Sequence, residues 1–167
     1  GEPSVCSITC NDFDGDGFDD LLLGWGHGTA LSRIFFNDKN GKYDLDNSIA
    51  LPVSVYGADN TLHMKTFSSD LDADGDLDIM ILHSRYEPYY GGTYIQYLEQ
   101  ISENIFEDVT KEKLVDPEEF QDTYGDRLNW SNFWELADLD GDGDVDLVGI
   151  GAKDHTPIIY LNDSQGN

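Results

Sequence analysis

Three short segments of the chain share a spacing of aspartates that suits a metal ion. Each segment reads Asp-x-Asp-x-Asp-Gly-x-x-Asp, and the three begin at Asp12, Asp70 and Asp138. Carboxylate oxygens in this number are the hard ligands that Ca²⁺ takes up, whereas Mg²⁺ uses fewer protein ligands and keeps several of its waters. The spacing therefore predicts three calcium sites, one in each loop.

In each loop we expect four aspartates to supply carboxylates and the seventh position to supply a backbone carbonyl. The predicted ligands are Asp12, Asp14, Asp16, Phe18 and Asp20 in the first loop, Asp70, Asp72, Asp74, Asp76 and Asp78 in the second, and Asp138, Asp140, Asp142, Asp144 and Asp146 in the third. Alternate carboxylates converge only where the chain curls tightly. The glycine at the sixth position of each loop permits the positive φ that this curl needs.

Electrostatic repulsion within the loops points to a cation as well. Each nine-residue loop contains five aspartates. A pair of like charges about 4 Å apart costs roughly 1 kcal/mol in water and several times more near a protein surface. Without a cation we expect the loops to be loose, or some of their carboxyl groups to have raised pKa values. The alternative is three solvated acidic turns, which the threefold match disfavours.

The loops differ from EF-hands in their twelfth position and in their flanks. An EF-hand has a bidentate Glu at position twelve and a helix on each side. Here position twelve is Leu23, Ile81 or Gly149, and the flanks resemble strands. The sequence therefore predicts calcium loops between β-strands, closed by the aspartate at the ninth position.

Short apolar or β-branched runs, separated by Gly, Asn and Asp, predict an all-β fold. The strands expected before the loops are Val5–Thr9, His63–Phe67 and Asn132–Leu136; those after them are Leu21–Trp25, Ile79–Leu82 and Leu147–Ile150; further strands are Ser32–Asn37, Thr93–Glu99 and Pro157–Asn162. One helical turn is expected in a loop at Asp116–Gln121.

Composition restricts the classes of partner. The chain has 9 Lys plus Arg against 34 Asp plus Glu, a formal net charge of −25. This balance argues against binding to nucleic acid phosphates and to anionic lipid. No apolar run approaches the length of a membrane span, so no direct membrane insertion is expected. Aromatic residues make up 12% of the chain, which favours a folded domain over a disordered one.

The two cysteines do not indicate a redox compartment. Cys6 and Cys10 lie four residues apart in a predicted strand, where they are about 13 Å apart. A disulfide needs Cα atoms within about 7 Å, so a bridge requires a bend or bulge. The alternative is a pair of small buried core thiols.

The loops and their flanking strands, such as LADLDGDGDVDLVGIG at 136–151, resemble the FG-GAP/VCBS repeat family, which includes the integrin α propeller and many bacterial surface and secreted proteins. The segment FEDVTKEKL at Phe106–Leu114 also resembles one common between such repeats. The resemblance implies four-stranded antiparallel β-propeller blades, with calcium between the first and second strands. The expected blades are residues 1–61, 62–129 and 130–167, the last ending after its third strand.

Because family propellers usually close with about seven blades, we expect other blades or other chains to complete the ring. Three blades alone would leave two sticky faces. Calcium sites of modest affinity fill only near millimolar calcium, which favours an extracellular, cell-surface or periplasmic location.

The family usually meets its ligands at the end of the blades opposite the calcium. Seven residues after each closing aspartate stand the basic residues His27, Arg85 and Lys153. An arc of positive charge there would suit a carboxylate of an acidic sugar or a protein partner. Tyr86, Tyr89 and Tyr90, next to Pro88 and Gly91, are further candidates for this face because tyrosines favour sugar and protein contacts. Tyr94 and Tyr97 are expected to pack between blades.

These features predict a non-catalytic module for recognition, adhesion or scaffolding, with a protein or glycan ligand and structural calcium. The alternatives are the propeller part of a polysaccharide-acting lyase or hydrolase, or a subunit of a larger assembly. His27, His63, His83 and His155 belong to no recognisable catalytic motif. We expect His63, in an inner strand, to be a packing residue.

Overall fold

The computed structural model describes residues 4–26, 31–87, 91–114, 133–150 and 157–163. Within these ranges the chain forms eleven β-strands and one four-residue helix, so the prediction of an all-β fold is confirmed. The strands are β1 Ser4–Asn11, β2 Asp20–Gly26, β3 Arg33–Asn37, β4 Tyr43–Ala50, β5 Thr61–Ser69, β6 Asp78–Arg85, β7 Gly91–Ser102, β8 Ile105–Asp108, β9 Trp134–Ala137, β10 Asp146–Ile150 and β11 Pro157–Tyr160; helix α1 is Thr110–Lys113.

The strands pair as three antiparallel meanders. β1 to β4 pair in chain order and form the first meander, and β5 to β8 form the second. These two join into one curled sheet where Gly26 of β2 pairs with Leu62 of β5. β9 to β11 form a separate three-stranded sheet, the third meander. Each Asp loop thus lies between the first and second strands of a meander.

Alternation along β2 shows how the sequence selects the buried face. Its residues alternate between buried and half-buried positions from Asp20 to Gly26. In β6, by contrast, every residue from Asp78 to Arg85 is buried. A strand with a near-continuous apolar run is covered on both faces. The second meander is therefore the middle layer of the described structure.

Two apolar clusters hold the meanders together. One joins the first two meanders, and its buried members are Phe13, Leu22, Ile34, Phe36, Leu51, Ile79, Ile81, Leu98 and Phe106. The other joins the second and third meanders, and its buried members are Leu71, Met80, Leu82, Ile95, Tyr97, Leu114, Trp134 and Leu147. β6 contributes to both, because successive side chains of a strand point to opposite faces.

Polar links reinforce the contact between the second and third meanders. Lys65 of β5 pairs with Glu135 and donates to the backbone oxygen of Trp134 at 2.9 Å. The Asn162 side chain donates to the backbone oxygen of Leu71 at 2.8 Å. These bonds place the end of the third meander beside the second Asp loop.

Two strands and one short helix were not predicted from the sequence. β4 and β8 were not predicted as strands, because their sequences YDLDNSIA and IFED are rich in polar residues. Both are the outer strands of their meanders, where one face contacts solvent. The helix lies at Thr110–Lys113, and the helical turn predicted at residues 116–121 lies outside the described residues.

The expectations for the cysteines were wrong. Cys6 and Cys10 are both free thiols and both exposed, so they form neither a disulfide nor part of the core. A register shift does occur between Val5 and Ser7, but both cysteines remain exposed. In the described ranges, no helix has the length and apolar character needed to span a membrane.

Candidate metal centre

The aspartate at the ninth position of each loop is the first residue of a strand and is almost fully buried. Asp20, Asp78 and Asp146 begin β2, β6 and β10, and each is 1% exposed. A buried carboxylate needs hydrogen-bond donors to compensate for its lost hydration. In all three loops two backbone N–H groups serve as donors, and Asp78 also accepts from the Tyr97 hydroxyl at 3.2 Å.

The same two bonds recur at each ninth-position aspartate. One carboxylate oxygen accepts from the N–H of the second loop residue, and the other accepts from an N–H just before, at or just after the end of the third strand. The donors at the second loop position are Phe13 (3.0 Å), Leu71 (3.1 Å) and Leu139 (2.7 Å). The donors near the end of the third strand are Asn37 (2.8 Å), Gln100 (3.0 Å) and Asn162 (2.9 Å). Each carboxylate therefore fastens its loop to the third strand, a role that the sequence did not reveal.

Two positive φ angles curl each loop. The sixth-position glycines Gly17, Gly75 and Gly143 have φ of 91°, 102° and 103°, as expected. The fourth position is also left-handed: Gly15 and Gly141 have φ of 70° and 84°, and Ala73 has φ of 62°. Left-handed backbone is strained for alanine. The second loop nevertheless adopts the same curl with Ala73 at this position.

Backbone N–H groups within the loops turn towards the remaining carboxylates. The fifth-position N–H donates to the third-position aspartate at 3.2 Å in every loop. The first-position Asp12 and Asp70 accept from the N–H of Gly17 and Gly75 at 2.8 and 3.1 Å. These bonds fold the side chains of the loop inwards.

The curl gathers three carboxylates in each loop. The groups are Asp12, Asp14 and Asp20 in the first loop, Asp70, Asp72 and Asp74 in the second, and Asp138, Asp140 and Asp146 in the third, and within each group the possible ligand oxygens lie within 4.8 Å of one another. Two oxygens bound to one Ca²⁺ at about 2.3–2.6 Å can be no more than about 5.2 Å apart. The residues present thus fit one calcium ion per loop.

The remaining predicted ligands lie in the same loops but outside these closest groups. They are Asp16 and Phe18 in the first loop, Asp76 and Asp78 in the second, and Asp142 and Asp144 in the third. In the first loop Asp16 pairs with Lys39 at 2.9 Å, which lowers the pKa of the Asp16 carboxyl through their hydrogen bond.

Burial and crowding raise the pKa values of several loop carboxyls. Burial raises the pKa of Asp78 to about 6, and it is the main cause of the raised pKa values of Asp14, Asp20 and Asp72. The pKa of Asp142 is raised chiefly by its hydrogen bond with a neighbouring carboxyl. A bound cation would favour the charged forms and so oppose these shifts.

The residues expected on the ligand face are only partly described. Arg85 ends β6 and is 5% exposed, so its side chain is buried beside the sheet. Tyr86 is half-buried next to it. His27, Tyr89, Tyr90 and Lys153 lie outside the described residues. Tyr94 and Tyr97 are 2% and 0% exposed, as expected of residues packed between meanders.

Two histidines lie side by side in the interior. The rings of His63 and His83 are 5.4 Å apart between centroids and meet edge to face. His63 is fully buried and its two ring nitrogens contact the hydroxyls of Ser32 and Thr66 at 2.8 and 2.6 Å. Burial lowers the pKa of both rings, that of His83 to about 4. His155 lies outside the described residues.

No protein-family model matches the chain, and no curated protein sequence matches it. The resemblance to calcium-binding repeats therefore depends on the loops and the strands that flank them.

Proposed function

We propose that this chain is a calcium-binding segment of a β-propeller, of the FG-GAP/VCBS kind, that serves as an extracellular recognition, adhesion or scaffolding module. The observation that carries the proposal is one loop geometry repeated three times. Each loop brings three carboxylates within 4.8 Å of one another and buries its ninth-position aspartate against the same two backbone N–H groups. An acidic turn formed for solubility alone would not need this shared arrangement.

The arrangement of the meanders supports blades of a propeller. A blade is a four-stranded antiparallel sheet that packs face to face on its neighbours. The first two meanders have four strands each, and the second is covered on both faces. In each meander the loop between the first and second strands carries the aspartates, which is the position that the family resemblance implies for calcium.

Calcium in these loops would act as a structural ion. Its ligands would come from the loop and from the start of the second strand, and the ninth-position aspartate also holds the third strand. Binding would relieve the repulsion among five aspartates. Because such ions fill at near-millimolar calcium when affinity is modest, we place the module at the cell surface, outside the cell or in the periplasm. Its ligand would be a protein or a glycan.

Calorimetric melting with added Ca²⁺ and with EGTA tests the proposal. At free calcium about a hundred times Kd, each independent site adds about 2.7 kcal/mol to the free energy of unfolding. We expect a sharp rise in melting temperature with Ca²⁺. The triple variant Asp14→Asn, Asp72→Asn, Asp140→Asn should lose this rise.

A charge-matched control separates calcium binding from a general effect of net charge. Asp46, Asp59 and Glu107 are exposed carboxylates outside the loops. The triple variant Asp46→Asn, Asp59→Asn, Glu107→Gln removes the same number of charges and should keep the full calcium response. A wild-type melting temperature that is equal in Ca²⁺ and EGTA would show that the loops are acidic turns with no structural ion.

A further inference from the structure

A cavity lies between the first two meanders, far from the Asp loops. It has a volume of about 30 Å³. A single water needs roughly 10–15 Å³ measured in this way, so the cavity has room for a larger group. Its lining includes Trp25, Leu51, Val53, Ser54, Ile81 and His83. Trp25 and His83 each lie five residues beyond a ninth-position aspartate, roughly 17 Å along the strand.

A chain of hydrogen bonds fixes the protonation of His83. The side-chain amide nitrogen of Gln96 is 2.8 Å from Asp108 Oδ2 and 3.5 Å from the Pro52 carbonyl oxygen. Both partners are acceptors, so this side of the amide must be the NH₂ group. Gln96 Oε1 therefore accepts from His83 Nε2, at 2.8 Å.

The proton on Nε2 leaves His83 Nδ1 with a bare lone pair. Burial lowers the pKa of His83 to about 4, so the ring is neutral near pH 7 and carries a single N–H. His83 is 3% exposed, and among the described residues its Nδ1 has no hydrogen-bond partner. A buried acceptor without a partner costs free energy that a suitable donor would recover.

Trp25, which also lines the cavity, carries a complementary group. Its indole Nε1–H is buried and has no acceptor within the described part of the chain. The other polar side chains of the lining already have partners: Ser32 contacts His63 at 2.8 Å, and Ser54 contacts Thr61 at 2.6 Å. The residues that line the cavity thus include one donor and one acceptor without partners in the described part of the chain, together with several aliphatic side chains.

We propose that this cavity binds the edge of a neutral, hydroxyl-bearing ligand, such as a sugar, with one hydroxyl donating to His83 Nδ1 and a hydroxyl oxygen accepting from Trp25 Nε1–H. A hydroxyl both donates and accepts, so adjacent hydroxyls on a sugar or polyol satisfy both groups. The aliphatic residues Leu51, Val53 and Ile81 would contact the carbon side of the same ligand.

Charge favours a neutral ligand over an ionic one. The lining residues carry no formal charge when His83 is neutral. An anion would meet the lone pair of His83 and no cation, in a chain whose net charge is −25. A metal cation would find one imidazole nitrogen and no carboxylate or thiolate in the lining, fewer ligands than a stable site needs.

This inference gives the recognition module a ligand class and depends on the proposed function in that respect. The cavity itself lies at the other end of the strands from the Asp loops. Titrations are therefore performed in Ca²⁺ and again in EGTA. A melting temperature that does not respond to Ca²⁺, in a protein that still binds the ligand, would contradict only the proposed calcium sites. A melting temperature that rises with Ca²⁺, in a protein that does not bind the ligand, would contradict only the proposed role of the cavity.

Nitrogen NMR of the histidine rings gives a direct test. In protein labelled with ¹⁵N-histidine, we expect His83 to show a protonated Nε2 and an unprotonated Nδ1. Titration with glycerol and with methyl glucoside, up to about 100 mM, should shift the Nδ1 resonance saturably. Acetone accepts hydrogen bonds but cannot donate one, so it should leave Nδ1 unchanged. No saturable shift with either polyol, or an equal shift with acetone, would overturn the proposal.

A matched pair of tryptophan variants tests the indole contact. Trp25→Phe removes the N–H and keeps an aromatic ring, and we expect methyl glucoside to bind about tenfold more weakly, as for the loss of one hydrogen bond. Trp134→Phe makes the same change in the other apolar cluster, away from the cavity, and should leave binding unchanged. Equal affinity for Trp25→Phe and wild type would contradict the proposed role of Trp25.

Discussion

The ninth-position aspartates accept backbone hydrogen bonds and are also among the proposed calcium ligands. Asp20, Asp78 and Asp146 accept hydrogen bonds from the backbone at both carboxylate oxygens, and Asp20 and Asp146 also belong to the closest carboxylate groups. Two backbone N–H donors stabilise a buried carboxylate without any metal. These residues should therefore matter for stability even when calcium is removed, unlike the other aspartates of the loops.

Replacing Asp20 with Asn tests this division of labour. Asparagine keeps one acceptor oxygen but turns an NH₂ group towards a backbone N–H donor, so one bond is lost and two donors oppose each other. We expect Asp20→Asn to lower the free energy of unfolding in EGTA by about 1–3 kcal/mol. For a domain of this size each 1 kcal/mol lowers the melting temperature by about 2–4 °C, which calorimetry resolves.

Asp14→Asn is the matched control in the same loop. Its carboxylate accepts from the N–H of Asp16 at 3.2 Å, and its pKa is raised chiefly by burial and further by the like charges around it. In EGTA its replacement should be neutral or slightly stabilising, because it removes repulsion. With calcium, both variants should show a reduced melting response. An equal loss of stability for both variants in EGTA would mean that the two backbone hydrogen bonds of Asp20 contribute no more to the free energy of unfolding than the single backbone bond of Asp14.

His83 should remain neutral in mildly acidic solution. Burial lowers its pKa from 6.5 to about 4, so the folded protein binds this proton less readily than the unfolded chain. The contribution of His83 to stability is therefore constant above pH 6.5 and is lost progressively as the pH falls towards 4. The imidazole C–H resonances, followed by NMR from pH 7.5 to 4.5, should hold their neutral positions to below pH 5.5. A midpoint near 6.5 would show that the ring is exposed to water.

At the residue scale, the sequence predicted what depends on neighbours along the chain. The spacing of aspartates and the positive φ at Gly17, Gly75 and Gly143 follow from local chemistry. The bond from Asn37 to Asp20 and the contact between Gln96 and Asp108 depend on strand pairing. No pattern within nine residues specifies them, so they appeared only in the folded structure.

At the scale of the strands, a close approach between β2 and β5 depends on a missing side chain. A Cβ atom at Gly24 would lie 2.5 Å from Cγ of the buried His63 ring and would also collide with Ser7 Oγ. His63 cannot withdraw, because both of its ring nitrogens are hydrogen-bonded. The absence of a side chain at Gly24 therefore permits the close approach of the first two meanders.

Gly24→Ala should consequently destabilise the fold. Accommodating the methyl group requires the His63 ring or the backbone to shift, and overpacking of this kind costs about 1–3 kcal/mol. Gly26→Ala is the control in the same strand, where the nearest atoms are the Sγ of exposed Cys6 and a methyl group of Leu62, both at the ends of side chains that can rotate. Chemical denaturation should show the larger loss for Gly24→Ala. A similar loss for both would place the strain in the strand backbone instead.

The strands were predictable to the extent that they are apolar. Runs such as Ile79–Leu82 identified β6 because both of its faces are buried. β4 and β8 escaped prediction because outer strands bury only part of one face, and alternation then weakens. Tertiary pairing with β3 and β7, which the sequence does not display, makes them strands.

At the scale of the whole molecule, the first meander has an apolar face that the described residues cover only in part. Ile8 pairs with Leu23, and Leu21 pairs with Phe35, so these four side chains share the face opposite the core of Leu22 and Ile34. Ile8 is 65% exposed, and the others are half-buried. In a closed propeller this face would contact the preceding blade.

We therefore expect the isolated chain to associate through this face. Light scattering of the wild type should give a mass above the 18.7 kDa of one chain, and Ile8→Lys should lower that mass without lowering the melting temperature. Leu45→Lys, at an outer-strand residue that is 63% exposed, is the control and should leave the mass unchanged. A monomeric wild type would mean that three meanders persist as an open arc.

The backbone bonds of the ninth-position aspartates also determine when each loop can close during synthesis. Both donors to Asp20 lie between Phe13 and Asn37, so the first loop is complete once three consecutive strands have paired. The same is true of Asp146, with Leu139 and Asn162. Contacts between residues so near in the chain form early. If the loops bind calcium as we propose, a polypeptide that emerges gradually into millimolar calcium would therefore fill its sites one after another, and each ion would stabilise a meander before the next had been made.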